Sequence, residues 1–222
     1  MRLYGLDQIR GLAVLFMLVF HFTYDLTLFG HVSLDMREGF WFFFPRLIVF
    51  LFLWSVGASL ELVHGSQIHW SSFNRRLAKL TLIALVISLV TYLLFPKVWI
   101  FMGTIHCIAL VSLMALPFLK FKKARWPVML GILILQFGFD FGVKWMAQLI
   151  SRPSMDFIPP YPWFWVVLLG MISGSWILKL WPNKLRVKAL EVLGVHALKV
   201  YLIHQALFYA LFSLFAWLQK SL

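Results

Sequence analysis

Long runs of apolar residues constrain this chain more than any other feature. The hydrocarbon core of a bilayer is roughly 30 Å thick, so a helix needs about 20 apolar residues to span it. Seven stretches reach or approach that length, namely 11–29, 40–62, 80–95, 99–119, 127–147, 162–181 and 195–217. The alternation with period two that a barrel strand needs is absent from the sequence. The sequence therefore predicts an all-α, polytopic integral membrane bundle of about seven transmembrane helices.

The Pro-rich stretch "SRPSMDFIPPYP" (151–162) interrupts this pattern. Proline removes a backbone donor and breaks helices, so the stretch cannot form a regular helix. An eighth, re-entrant segment near 148–160 is the alternative to seven spans. The first apolar run is too long for a signal peptide and has no small-residue cleavage site. We expect residues 1–222 to form a single transmembrane domain.

The distribution of charge predicts the orientation. The chain has 20 Lys and Arg but only 8 Asp and Glu, which gives a net charge of +12. Basic residues cluster at the N-terminus and in "NRRLAK" (74–79), "KFKKAR" (120–125) and "KLWPNKLRVK" (179–188), all on one side of the predicted bundle. Basic loops face the cytoplasm, so we expect a cytoplasmic N-terminus and an external C-terminus. The excess charge indicates loops and anionic lipid as partners, not nucleic acid.

The first helix carries a stripe of polar residues. Asp7 and Arg10 are three residues apart and can pair on one face. Arg10 and His21 are eleven apart, close to three turns, so they share that face at a separation of roughly 16 Å along the axis. Asp25 follows His21 by about one turn. An interfacial ion pair accounts for Asp7 and Arg10 as well as a functional role does. For His21 a functional role is favoured, with Asp25 orienting the ring.

Further ionisable residues are predicted in or near the membrane. Arg46 in the second span, Asp140 in the fifth and His106 at the start of the fourth are expected at a similar outer depth. His31 lies in the first outer loop, and His204 is expected near mid-depth in the last helix. Arg46 can neutralise Asp25 or Asp140, either as a structural pair or at a site. The histidines raise the question of a metal, but only His21 and Asp25 have a close spacing on one helix. We expect no metal ion.

Gly170 and Gly174 are separated by one helical turn in "GMISG". Small residues at this spacing let helices approach closely, within one chain or between two. The pattern therefore indicates helix packing, and it is compatible with a homodimer.

Several blocks together resemble the catalytic domain of the heparan-alpha-glucosaminide N-acetyltransferase family. They are "GLDQIRGLAVLFMLVFH" (5–21), "RLIVFLFLWSVGASL" (46–60), "MGTIHCIAL" (102–110), "YPWFWVVLLGMISG" (161–174) and "LGVHALKVYLIHQAL" (193–207). The family opens with Asp-x-x-Arg-Gly, then an apolar run, then His or Asn at the position of His21. The blocks occur in the family's order and cover nearly the whole chain.

The resemblance implies a membrane acyltransferase that moves an acetyl group from cytoplasmic acetyl-CoA to an acceptor on the other side. The family's outer-loop catalytic histidine lies fourteen residues before a proline, as His31 lies before Pro45. The family's neighbouring Asn maps onto His21, which leaves the division of labour between His21 and His31 open. The histidine of the family's final helix maps onto His204. The chain lacks the lumenal domain of the lysosomal member, so the acceptor is not implied.

We therefore expect His31, His21 and Asp25 to be catalytic. Asp7 and Arg10 would shape the donor entrance, and Arg75 and Arg76 would meet CoA phosphates. The residues expected to line the acceptor site are Arg46, His106, Asp140 and His204. The acceptor would be an amine or hydroxyl, as in an amino sugar or glycan, and the membrane the bacterial plasma membrane. A small proton-coupled transporter or flippase is the alternative, and a structural subunit is the third possibility.

Overall fold

The computed structural model describes residues 4–139, 153–180 and 186–221, and their regular structure is helical. This confirms the predicted all-α class. The α-helices are α1 (Tyr4–Leu28), α2 (Gly39–His64), α3 (Trp70–Leu94), α4 (Thr104–Met114), α5 (Leu116–Lys120), α6 (Arg125–Gly138), α7 (Pro160–Leu180), α8 (Lys188–Val195) and α9 (Ala197–Ser221).

Five of the described helices are long and apolar enough to cross a membrane: α1, α2, α3, α7 and α9. The predicted number of seven is not confirmed. The fourth predicted span appears as two shorter helices, α4 and α5, separated at Ala115. Within the fifth predicted span, α6 ends at Gly138, and residues 140–147 lie outside the described residues.

The predicted boundaries of the third and fourth spans shift for local reasons. Helix α3 begins at Trp70, ahead of the predicted residue 80, so Arg75 and Arg76 lie on its first turns and not in a loop. It ends at Leu94, before Pro96, as expected from the missing proline N–H. Helix α4 begins only at Thr104, because the preceding residues hydrogen-bond to another segment.

That other segment is the described part of the Pro-rich stretch, residues 153–159, which is irregular as predicted. Its backbone donates from Met155 to Val98 O (2.9 Å) and from Ile158 to Met102 O (2.8 Å). Thr104 N donates to the Asp156 carboxylate at 2.9 Å and so caps the start of α4. These bonds pair the irregular backbone of 153–159 with the segment between α3 and α4. A re-entrant helix is not present in 153–159.

The chain divides into two compact units. The terminal unit comprises Met1–Phe52 and Leu180–Leu222, and the central unit comprises Leu53–Lys179. In the terminal unit the core is formed by Val14, Met17, Phe44 and Ile48. Side chains from α8 and α9, among them Leu193 and Val200, pack against this core. Burial of such a cluster brings the start of α2 and the C-terminal helices onto α1.

Glycines set the closest helix contact of the terminal unit. A Cβ built on Gly11 of α1 would overlap the carbonyl oxygen of Leu190 in α8, and one built on Gly194 would overlap that of Asp7. The two backbones therefore touch, which only residues without a side chain permit. The final glycine of the Asp-x-x-Arg-Gly motif is thus a packing residue.

In the central unit, glycines likewise allow α2 and α7 to pack closely. A Cβ on Gly170 would overlap Trp54 O, and one on Gly174 would meet the Ala58 side chain. The predicted packing role of Gly170 and Gly174 is confirmed within one chain. The homodimer stays a prediction.

A buried arginine joins several helices of the central unit. Arg125 is 4% exposed and donates to Glu61 Oε2 at 2.5 Å, to Phe118 O at 2.9 Å and to Met171 O at 3.1 Å. Lys122 adds a second contact to Glu61 at 2.9 Å from a half-exposed position. The sequence placed Arg125 in a basic loop. In the structure Arg125 is buried and its hydrogen bonds join α2, α5 and α7.

Candidate functional site

The terminal unit brings together two histidines from opposite ends of the chain. The rings of His21 on α1 and His204 on α9 lie with their centroids 4.7 Å apart and their planes at 65°. His204 is buried and His21 half-buried. The sequence placed both histidines in membrane helices, and their contact could not be read from it. Two titratable rings in one place within apolar helices form the nucleus of the candidate site.

The hydrogen bonds of His204 determine its tautomer. Its Nδ1 lies 2.8 Å from Tyr201 O and 3.3 Å from Val200 O. Carbonyl oxygens only accept, so Nδ1 carries the proton and Nε2 carries a lone pair. Nε2 is buried without a hydrogen-bond partner among the described residues. A buried, basic nitrogen with no partner is available to take a proton or an acyl group.

Asp25 is fully buried, and its carboxylate meets an amide. Gln205 Nε2 donates to Asp25 Oδ1 at 3.2 Å and to Oδ2 at 3.3 Å. Asp25 was expected to orient a histidine directly. In the structure the Asp25 carboxylate accepts from the amide of Gln205.

Gln205 was missed by the sequence analysis. The available signal was its position beside His204 in "VYLIHQAL", a polar pair within an otherwise apolar helix. Polar groups at that depth cost free energy and therefore serve a purpose. Its side chain also lies within interaction range of His21. Gln205 thus joins Asp25 to the histidine pair.

His31 lies just beyond the C-terminal end of α1. Its backbone N–H donates to Leu26 O at 2.9 Å, which fixes the turn at Gly30, where φ is 77°. The ring is exposed and packs against Phe212 and Phe215 of α9, with centroid separations of 6.1 and 5.5 Å. His31 is thus held just beyond the end of α1 and against α9, the helix that carries His204. Its exposed ring is accessible to solvent.

Arg46 does not pair with Asp25. Its guanidinium donates to the carbonyl of Phe42 in its own helix and lies 3.5 Å from the centre of the Phe42 ring. The predicted neutralisation of Asp25 is therefore not seen, because Asp25 bonds to Gln205 and Arg46 is exposed. Asp140, the other predicted partner, lies outside the described residues.

The start of α1 contains the predicted ion pair. Arg10 Nη1 lies 3.4 Å from Asp7 Oδ1, which confirms the pairing of these two residues. Gln8, between Asp7 and Arg10 in the chain, was not predicted as a site residue. Its Oε1 accepts from Val187 N at 2.7 Å. Gln8 thereby ties the start of α8 to α1.

A second ion pair lies near the start of α8, where Arg186 donates to Glu191 at 2.6 and 3.1 Å. These bonds raise the pKa of the Arg186 guanidinium, which lies outside the membrane-spanning helices. This end of the terminal unit thus combines two ion pairs with the glycine-based contact between α1 and α8.

His106 belongs to the central unit, and both of its ring nitrogens are in use. Gly103 N donates to Nδ1 at 3.3 Å. Ser88 Oγ donates to Ile100 O at 2.8 Å and therefore accepts from His106 Nε2–H, also at 2.8 Å. These bonds fix the neutral Nε2–H tautomer and anchor the start of α4. A role for His106 with an acceptor stays a prediction.

Arg75 and Arg76 also lie in the central unit, on the first turns of α3. Arg75 is exposed and Arg76 is half-buried. Their predicted contact with CoA phosphates is not tested by this placement.

Comparison with known proteins gave one match. The family model described as "Heparan-alpha-glucosaminide N-acetyltransferase, catalytic" matches residues 2–206. The search of curated proteins and the search of solved structures each found no match. The matched range includes the polar residues of α1, the outer loop, and the His204–Gln205 pair.

Proposed function

The chain belongs to the heparan-alpha-glucosaminide N-acetyltransferase catalytic-domain family, a family of membrane acetyltransferases, and on that premise we propose that it transfers an acetyl group from acetyl-CoA to an amine or hydroxyl. The donor would bind from the cytoplasm. The acceptor would be an amino sugar or a glycan on the opposite side of a bacterial plasma membrane.

The observation that carries this proposal is the polar cluster of the terminal unit. His21, His204, Asp25 and Gln205 meet between two apolar helices, where each polar group costs free energy. A purely structural pair of helices would bury apolar side chains there. The cluster supports acyl transfer because it supplies basic nitrogen in a place from which bulk water is excluded.

The chemistry requires one proton acceptor. The amine or hydroxyl of the second substrate attacks the thioester carbonyl. The bond between the carbonyl carbon and sulfur then breaks, and CoA leaves as the thiol after gaining a proton. A neutral imidazole is suited to take the proton from the attacking group because one of its ring nitrogens carries a lone pair. His31 is our first choice, since it is exposed at the outer end, and His21 is the second. An imidazole nitrogen can instead carry the acetyl group between donor and acceptor.

The two ends of the terminal unit suit the two substrates. At the inner end, Asp7 and Arg10 would shape the entrance for the donor, whose phosphates require cationic partners. At the outer end, His204 and Arg46 would line the acceptor site. Arg75, Arg76, His106 and Asp140 keep their predicted roles with donor and acceptor as part of this proposal.

The test uses purified protein in lipid nanodiscs with acetyl-CoA labelled in the acetyl group. We expect label to appear in glucosamine or in a glycan fragment, together with release of free CoA. Absence of CoA binding and of transfer to every amino sugar and hydroxyl acceptor tested would overturn the proposal. The transporter alternative predicts gradient-dependent uptake into vesicles without consumption of thioester, so free CoA release discriminates between the two.

A further inference from the structure

The amide of Gln205 has only one orientation compatible with its neighbours. Its Nε2 donates to both oxygens of Asp25, which is fully buried. A flipped amide would place Oε1 against a carboxylate, and two acceptors repel each other. Asp25 therefore fixes which side of the Gln205 side chain presents the carbonyl oxygen.

That carbonyl oxygen needs a donor. Gln205 Oε1 is buried and has no hydrogen-bond partner among the described residues. Leaving such a buried acceptor unpaired costs free energy. The ring of His21 lies within interaction range of Gln205, and it packs against His204, the residue next to Gln205 in the chain. A ring N–H of His21 is thus the donor at hand.

We propose that Gln205 is a positioning residue, which Asp25 holds so that its carbonyl oxygen accepts from one ring nitrogen of His21 and keeps that imidazole in a single tautomer. The inference rests on the proposed function for its meaning in catalysis. The tautomer itself is a property of the resting protein.

The consequence is a pair of imidazoles that both present basic nitrogen. His204 is fixed with its proton on Nδ1 by the backbone of α9. His21, fixed by Gln205, keeps its other nitrogen free of a proton. The two rings are in contact, so one site offers two lone pairs without requiring either ring to rearrange before it accepts a proton.

The test exploits the asymmetry between carboxylate and amide. Asp25→Asn places a donor beside the remaining acceptor oxygen, so both orientations of the Gln205 amide become possible, and Gln205→Glu places two carboxyl groups together. In the double variant Asp25→Asn with Gln205→Glu, the new amide donates to the new carboxylate, whose second oxygen still accepts from His21. The amide and the carboxylate thus exchange places, and the oxygen that accepts from His21 keeps its position.

The readout is magic-angle-spinning NMR of protein labelled with ring-15N histidine in nanodiscs, with His21 assigned from the spectrum of His21→Asn. We expect one tautomer for His21 in the native protein, a mixture in Gln205→Leu and in each single exchange variant, and a return to one tautomer in the double variant. Gln136→Glu is the matched control, because it makes the same amide-to-acid change on α6 of the central unit. It is expected to leave the His21 signals unchanged.

Acetyl transfer is measured on the same samples. Gln205→Leu and the single exchange variants should lose on the order of 10²-fold in kcat, and the double variant should recover most of it. Unchanged His21 signals in Gln205→Leu, or a double variant no better than the singles, would overturn the inference. An inactive native protein with a single His21 tautomer would instead count against the proposed function alone.

Discussion

The imidazole of His21 lies edge-on against the imidazole of His204, with 4.7 Å between the ring centres. One ring comes from the first helix and the other from the last, so the contact exists only when α1 and α9 are packed together. His204 Nε2 is buried without a hydrogen-bond partner among the described residues. The contact between the two rings therefore includes a ring nitrogen whose lone pair is not engaged.

Replacement of His204 by Gln should therefore remove activity with little loss of structure. Glutamine retains an N–H that can donate to Tyr201 O, as the histidine does, but it has no basic nitrogen. We expect kcat for acetyl transfer to fall by about 10²-fold or more. The thermal midpoint, measured by differential scanning fluorimetry, reports folding. Turnover close to that of the native protein would show that Nε2 takes no part.

His31→Ala should abolish turnover while labelled CoA still binds. The exposed ring at the outer end is the first choice as base or acyl carrier, and it is remote from the expected donor entrance. His69→Ala serves as the control, because His69 is an exposed histidine at the turn between α2 and α3 and has no assigned role. Retained turnover in His31→Ala would transfer the role to His21.

Gly11→Ala and Gly194→Ala should each destabilise the protein. The new methyl group would overlap a backbone carbonyl oxygen, which cannot move aside as a flexible side chain can. Overpacking of this kind costs about 1–3 kcal/mol. Gly131→Ala is the matched control in α6, since a Cβ there meets nothing within 4 Å. Thermal midpoints in one detergent compare the three, and equal values for Gly11→Ala and Gly131→Ala would contradict the packing assignment.

Arg125→Met should be far more damaging than Lys122→Met. Both residues contact Glu61, but Arg125 is 4% exposed and its removal leaves buried acceptors on three segments. Loss of one partner from a buried pair costs about 3–5 kcal/mol, whereas exposed pairs contribute about 0–1 kcal/mol. Unfolding in denaturant measures both. Similar losses for the two variants would mean that burial does not determine the strength of these contacts.

The helices and contacts that depend on local sequence pattern could be predicted. Apolar length located α1, α2, α7 and α9, and helical spacing predicted the Asp7–Arg10 pair. The late start of α4 was not predictable, because it depends on bonds to residues 153–159 from far along the chain.

The same limit applies to the site. Spacing on one helix placed His21 and Asp25 together, yet it could not show that Gln205 would come between Asp25 and a histidine. Nor could it distinguish His106, whose nitrogens are both bonded, from His204, whose Nε2 is not. Hydrogen-bond partners decide which histidine is chemically available, and those partners come from tertiary structure.

The backbone contact at Gly11 bears on how distant relatives are recognised. The three fixed residues of the Asp-x-x-Arg-Gly signature meet two different requirements. Asp7 and Arg10 provide charge, while Gly11 sets the spacing between α1 and α8. A distant sequence that retains only the glycine would preserve the scaffold without its ionic pair. Loss of the glycine alone would shift the helices on which the charged residues depend, so the signature is informative about chemistry only when it is complete.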